Sequence, residues 1–380
     1  MHFRTRAIHV GSERDLQTGA VVPPIHLATT FVQHHAGEWR EYDYSRSGNP
    51  TRKNLERTLA SLESGVGALA FSTGMAATHA ATMLLRSGDH IVAGADIYGG
   101  SYRLFHKICD RAGIDVTLTN SVRPDAVEAA IRPTTKLLWL ESPGNPLMSI
   151  TDIAACAEIG HRRGLLIGVD NTFATPVLTR PLELGADIVM HSATKYLGGH
   201  SDVLGGALIV RDEELFRELY FIQNATGAVL DPLGSFLVAR GLKTLELRVR
   251  EQCRSAQKIA EFLTADSRVK RVNYPGLATH SGHAVATRQM AGGFGAMLSF
   301  ELVGDYEKTK RVVETTKLFQ LAVSLGAVES LIEQPASMSH ASYDRAARQS
   351  HGITDELIRI SVGLEDVEDL LADLDHALNA

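Results

Sequence analysis

The chain has 380 residues, 44% of them hydrophobic and 22% charged, and a formal net charge of −6. That length exceeds the ~250–300 residues at which a single core stops growing, so a large core and more than one domain are expected. The acidic balance argues against a basic face for nucleic acid or an anionic membrane, which leaves small molecules as the expected ligands.

Residues 1–50 mix charge, Pro and Gly (VVPPIHLATT, YDYSRSGNPT) and read as an extended arm, not a packed unit. From Thr51 a helical period begins: Leu55, Leu59 and Leu62 share one face, and Gly65 follows as a stop signal. Between about residues 67 and 210, the short apolar runs GALAF, HIVA, IDVTLT, KLLWL, LLIGV, DIVM and GALIV alternate with helix-like segments such as MAATHAATMLLRSG and TDIAACAEIGHRRG. That alternation predicts βαβ units and a mostly parallel seven-stranded sheet covered by helices. A helical stretch from Asp231 to Leu263, interrupted only by Gly241, carries the chain away, and GAMLSFEL, IRISV and DVEDLLADLDHAL then predict a smaller α+β domain. The expected division is an arm over 1–50, a large α/β domain over 51–250 and a small domain over 251–380. Three cysteines (Cys109, Cys156 and Cys253) without C-x-x-C spacing suggest neither a disulfide framework nor a metal site. With no signal-peptide or membrane-spanning run, a reducing cytoplasm is the expected compartment.

Open parallel sheets bind ligands beyond the carboxyl ends of their strands, so the residues after each apolar run carry the functional signal. After GALAF come Ser72, Thr73, Gly74 and Met75, a hydroxyl and glycine opening a helix, which taken alone read first as an ordinary N-cap and second as an anion site. After HIVA comes Tyr98 beside two glycines, a ring able to stack on a planar ligand or simply to close a turn. Asn145 lies in the rigid turn ESPGNP, and Asp170, followed by Asn171 and Thr172, ends the apolar strand LLIGV. A carboxylate there requires a partner, and a cationic ring nitrogen is one candidate. In IVMHSATKYLGGH, Ser192 and Thr194 place two hydroxyls on one side of an extended chain just before Lys195. An amine, a phosphate cradle, an aromatic face and a carboxylate are together what pyridoxal 5′-phosphate requires: Lys195 for its aldehyde, Asp170 to keep its ring nitrogen protonated so that the ring accepts a carbanion's electrons. A cofactor-free binding protein on the same fold is the alternative from a different class.

The ordered segments YDYSRSGNPTR, FSTGMAAT, DIYGGSYR, ESPGNP, VDNTFATP, HSATKYLGGHSD, RGLKTLELR, YPGL, SLGAVESLI and RISVGLED, from about residue 5 to 376, resemble the Cys/Met-metabolism family of pyridoxal-phosphate enzymes. That family includes cystathionine γ-synthases, cystathionine γ- and β-lyases and methionine γ-lyases. The resemblance implies a type I pyridoxal-phosphate transferase-like fold and a homotetramer built as two dimers. It makes Lys195 the cofactor-bearing lysine, Asp170 and Thr172 residues at the ring, and Tyr98 the stacking ring that can protonate a leaving sulfur. Ser72, Gly74, Met75, Ser192 and Thr194 become phosphate ligands. Tyr44 and Arg46 match a pair that reaches the neighbouring subunit's phosphate, and Arg359, helped by Ser324 and Asn145, matches the arginine that holds the substrate carboxylate. Within the family, Val323 and the segment ESLIEQPASMSHASY resemble methionine γ-lyases, whereas Gly100, where those enzymes carry a reactive cysteine, and FIQNATGAV resemble cystathionine enzymes. Val323 offers no charge to the distal ammonium of a second amino acid. The expected activity is therefore γ-elimination of cystathionine, with latitude toward homocysteine or methionine; cystathionine γ-synthase and methionine γ-lyase are the alternatives.

Overall fold

Each of the seven apolar runs forms a strand: β1 (Gly67–Phe71), β2 (His90–Gly94), β3 (Asp115–Thr119), β4 (Thr135–Glu141), β5 (Leu166–Asp170), β6 (Ile188–Ser192) and β7 (Gly206–Val210). This computed structural model describes residues 1–339, 341, 345–350 and 352–380, so His340, Ser342 and Tyr343 of the ESLIEQPASMSHASY segment lie outside the described residues. The strands join in the order β1-β7-β6-β5-β4-β2-β3. β7 runs antiparallel to β1 and β6, and every other pairing is parallel. β2 and β7 are buried at every position, as strands covered on both faces must be. Gly168 interrupts β5 for a reason: a Cβ there would come within 2.6 Å of the fully buried Trp139 ring of β4.

The arm differs from the expected extended chain. A short helix, Phe3–His9, opens it and buries Ala7, and Arg6 donates to the carbonyl of Ser61. Farther on, Phe31 N–H donates to Asp43 O (2.9 Å) and Ser45 N–H to Thr29 O (2.9 Å), a narrow antiparallel ribbon. The helix Pro50–Glu63 then starts on Asn49, whose side chain accepts from the N–H groups of Thr51 (2.9 Å) and Arg52 (3.3 Å). Its stop is not Gly65. Ser64 takes the left-handed conformation (φ 63°), while Gly65 admits β7, since a Cβ there would sit 2.4 Å from Ile209.

The single helical stretch expected over 231–263 is two helices, Pro232–Leu242 and Leu245–Ala265. Gly241 presses against the chain just after Lys195, where an added Cβ would fall 2.4 Å from Gly198 O. The buried Arg248 fixes the break, donating to Gly241 O (2.8 Å) and Tyr196 O (2.9 Å). Helix Leu245–Ala265 carries the chain to the second sheet, and the boundary expected at 250/251 falls within it. That sheet contains β8 (Val269–Asn273), β9 (Met297–Leu302), β10 (Gln320–Leu321), β11 (Leu331–Glu333) and β12 (Leu357–Ser361), in the order β10-β11-β12-β9-β8. The fold is thus α/β with a mostly parallel seven-stranded sheet and a smaller α+β part. One apolar core joins them, from Val169 of β5 through Ile259 to Leu298 and Ile360 of β9 and β12.

Candidate active site

The carboxyl ends of β1, β4, β5 and β6 face Arg359 of β12 across a cavity of about 610 Å³. All but three of the expected site residues line it. At one end, Gly74 and Met75 begin the helix Gly74–Thr82, so their N–H groups precede the first intrahelical carbonyl. Ser192 and Thr194 stand beside them in the lining. The approach is close: a Cβ on Gly74 would lie 3.0 Å from that of Ser192, and one on Gly206 would lie 2.2 Å from Thr73 O. Thr194 Oγ1 already bonds Gly205, accepting its N–H at 3.1 Å and donating to its carbonyl at 3.2 Å.

Asp170 lies at the floor, 5% exposed. Its Oδ1 accepts both the N–H (3.0 Å) and the hydroxyl (2.5 Å) of Thr172, and among the described residues Oδ2 receives no hydrogen bond. Burial pushes this carboxyl up, and the two Thr172 donors and His191 hold it down. Tyr98 is 44% exposed, its N–H anchored on Glu141 Oε2 (2.8 Å). Gly100 lets that ring settle, because a Cβ there would be 2.4 Å from the ring and 2.8 Å from Met75 Sδ.

Lys195 Nζ donates to Ser324 Oγ at 2.6 Å. Burial lowers its pKa to about 8; the Arg359 cation adds to the shift and Glu333 opposes it. Arg359 is held on three sides, by Asn145 Oδ1 (2.9 Å), Ser324 O (3.0 Å) and the carboxylate of Glu333 (3.2 Å). Its Nε is buried without a partner among the described residues. A fixed guanidinium with an unused donor suits a carboxylate ligand.

Residues 4–379 match the sequence profile of the Cys/Met metabolism PLP-dependent enzymes. The chain belongs to this family. It is 51% identical over 378 residues to the cystathionine γ-lyase of Bacillus subtilis (100% of this chain, 99% of the relative) and 50% identical over 379 residues to the cystathionine β-lyase of Coxiella burnetii (99% and 98%). The γ-synthase name occurs at the same level, in a Mycobacterium bovis relative 50% identical over 376 residues (98% of this chain, 96% of the relative). The crystal structure of cystathionine γ-lyase from Lactobacillus plantarum complexed with L-serine superposes with a TM-score of 0.96 at 45% identity, covering 100% of this chain and 99% of that one.

Pyridoxal phosphate is the cofactor of this family, and the residues present fit it. Gly74 opens a helix where a Cβ would crowd Ser192 and where free backbone N–H groups face the lining, Asp170 keeps one oxygen free of donors among the described residues, and Lys195 carries a weakened charge. Tyr44, Arg46 and Ser72 do not line the cavity. Tyr44 is 46% exposed with the Arg46 guanidinium 5.3 Å from its ring centre, and Arg46 donates to Asn224 at 3.3 Å. Ser72 is exposed, and Thr73 takes its place in the lining as the helix N-cap, accepting from Ala76 N–H at 3.0 Å.

Glu141, Glu333 and Arg103 line the cavity as well and are absent from the sequence expectation. Two of them carry the signal that marks Asp170, an acid closing an apolar strand: Glu141 ends KLLWL and Glu333 ends β11. Arg103 carries none, being one exposed arginine on the short helix Gly99–Arg103.

Proposed function

We propose that the protein is a carbon–sulfur lyase of sulfur amino-acid metabolism that cleaves cystathionine by γ-elimination to cysteine, 2-oxobutanoate and ammonia. The observation that carries this reading is the cavity rim. Val323 (57% exposed), Leu204 (66% exposed) and the Arg103 side chain form it, while the lining carboxyls Glu141, Asp170 and Glu333 are all at most 5% exposed. A cation at the rim suits the distal carboxylate of cystathionine. A synthase must also hold an incoming cysteine by its ammonium, and among the described residues this rim offers that group no acid.

The bound cofactor supplies the electron sink for charge that develops at the substrate Cα. The chain's own residues do the rest. Arg359 grips the α-carboxylate, and Asn145, Ser324 and Glu333 fix its plane. Lys195, neutral at pH values above about 8, removes the Cα proton and is placed to handle the second proton at Cβ. Tyr98 donates to the departing sulfur. Asp170 holds negative charge opposite the ring nitrogen. The active unit in this reading is a homotetramer of two dimers in the cytoplasm, in which Tyr44 and Arg46 complete the phosphate site of the adjacent subunit.

The test is a steady-state comparison of cystathionine, homocysteine and methionine cleavage with cystathionine synthesis from an O-acylhomoserine and cysteine. 2-Oxobutanoate is the expected keto product from cystathionine. Pyruvate as the main product would reassign the enzyme as a β-lyase, and dominant synthesis would make it a γ-synthase. Val323→Glu is expected to raise the preference for cystathionine over homocysteine about three- to fivefold, the effect of a half-exposed ion pair of up to ~1 kcal/mol. An unchanged preference would remove Val323 from the specificity argument.

A further inference from the structure

Glu141 and Asp170 are register partners on the adjacent parallel strands β4 and β5. Both end their strands, both are 5% exposed, and both line the cavity. No ion pair reaches either one among the described residues. Two carboxylates so placed cannot both be charged without a cation between them. Their surroundings are unequal. Asp170 accepts two hydrogen bonds from Thr172 on one oxygen, and the buried His191 lies on the next strand, β6. Glu141 accepts one, from Tyr98 N–H, and no donor within the described residues reaches its Oε1. Hydrogen bonds to a carboxylate favour its charged form, so the charge belongs on Asp170.

We propose that Glu141 holds the proton of this pair, standing as a neutral acid beside the charged Asp170 while its carbonyl oxygen anchors Tyr98. This rests on the reading of Asp170 as the partner of the cofactor's ring nitrogen, and it adds a positioning residue to that arrangement. With Glu141 neutral, one negative charge faces the ring nitrogen, and the acid O–H is left to donate to Asp170 or into the cavity. The groups around Glu141 agree. Burial drives its carboxyl well above the usual range, the charge of Asp170 adds to this, the Tyr98 N–H opposes it, and Asp96 raises it further. Across the same cavity stand Lys195, Arg359 and Glu333, the last two paired with each other.

The test uses cofactor-loaded enzyme with whichever substrate it turns over best. Glu141→Gln copies the shape of the neutral acid and is expected to keep kcat/KM within roughly threefold, because every hydrogen bond survives. Asp170→Asn is expected to lose about 100-fold or more. A merely structural glutamate would also tolerate Gln, so infrared spectroscopy provides the separate readout. At pH 8 the unmodified enzyme should show the carbonyl stretch of a protonated carboxylic acid that Glu141→Gln removes. Glu56, whose carboxyl burial pushes up to about 7, is replaced by Gln in both proteins to clear its own band. If Glu141→Gln does not fold, glutamate labelled with ¹³C in the Glu56→Gln background reports the same band by its isotope shift. A band that is absent, that survives Glu141→Gln, or that fails to shift on labelling overturns the proposal, as does a Glu141→Gln enzyme as impaired as Asp170→Asn. A fully active Asp170→Asn would instead overturn the reading of Asp170 itself.

Discussion

At the scale of single residues, the chemistry depends on an amine whose charge is weakened in a buried site. Burial penalises the charge of Lys195 and Arg359 adds a like charge, which together push its pKa down to about 8, well below the ~10.4 of an exposed lysine. The signs give a direct prediction. In cofactor-free protein, acylation of Lys195 by an amine-selective reagent should follow an apparent pKa of about 8, against ~10.4 for surface lysines. Arg359→Gln removes the neighbouring cation and should move that midpoint up. Glu333→Gln removes the opposing anion and should move it down. Peptide mapping of the modified lysine across pH measures all three, and shifts in the reverse order would separate Lys195 from the Arg359–Glu333 pair. The same shift affects stability. Between pH 8 and 10.4 the unfolded chain holds a proton that the folded chain has released, so this group's contribution to stability rises with pH through that window.

At the scale of elements, the large sheet is legible in the sequence because six of its strands are apolar runs buried at nearly every position, while the edge strand β3 (DVTLT), with no buried residue, shows only an alternation of apolar and polar residues. The second sheet is legible only where burial is complete, in β9 and β12; β10 is two exposed residues and β8 is half-buried VKRVN. The hydroxyls and the lysine of the site announce themselves by residue type, whereas Arg359 is reached only through the family resemblance and Arg103 not at all. Glu333 becomes functional only through its register with Arg359 across β11 and β12, a pairing that no local pattern encodes. The arm illustrates the same point. Its Tyr44 and Arg46 are visible in YDYSRSGNP, but the device that holds them is Arg52, 3% exposed, which donates to the carbonyls of Ser45 (2.7 Å) and Arg46 (3.1 Å). Lysine has one nitrogen and cannot span two consecutive carbonyls as a guanidinium does. Arg52→Lys should therefore loosen the arm at a cost of about 1–3 kcal/mol, the penalty for buried acceptors left unpaired. Limited proteolysis should show faster cleavage in residues 40–48 than in the parent. Equal cleavage rates would mean that the arm is held by something other than Arg52.

At the scale of the whole molecule, the arm presents a surface that an isolated subunit does not use. Leu16, Val21, Leu27, Val32 and Trp39 are each at least 70% exposed, and Tyr44 and Arg46 are not among the residues that line their own chain's cavity. A second copy covering that surface would bring a phosphate site to the pair, and the two subunits would each be incomplete alone. Complementation tests this without any structure of the assembly. In the proposed assembly, subunits carrying Arg46→Ala, or Lys195→Ala, would form homodimers in which both sites are damaged. If the arm crosses to the neighbour, a mixed dimer contains one site with the intact lysine of one subunit and the intact arm of the other, and one site with both lesions. Co-expression with two affinity tags and sequential purification isolates that species. Its expected activity is about half that of the parent dimer, since one site of two is intact and independent sites add. If Arg46 served its own chain, each site would carry one lesion and the mixed dimer would be no more active than the homodimers.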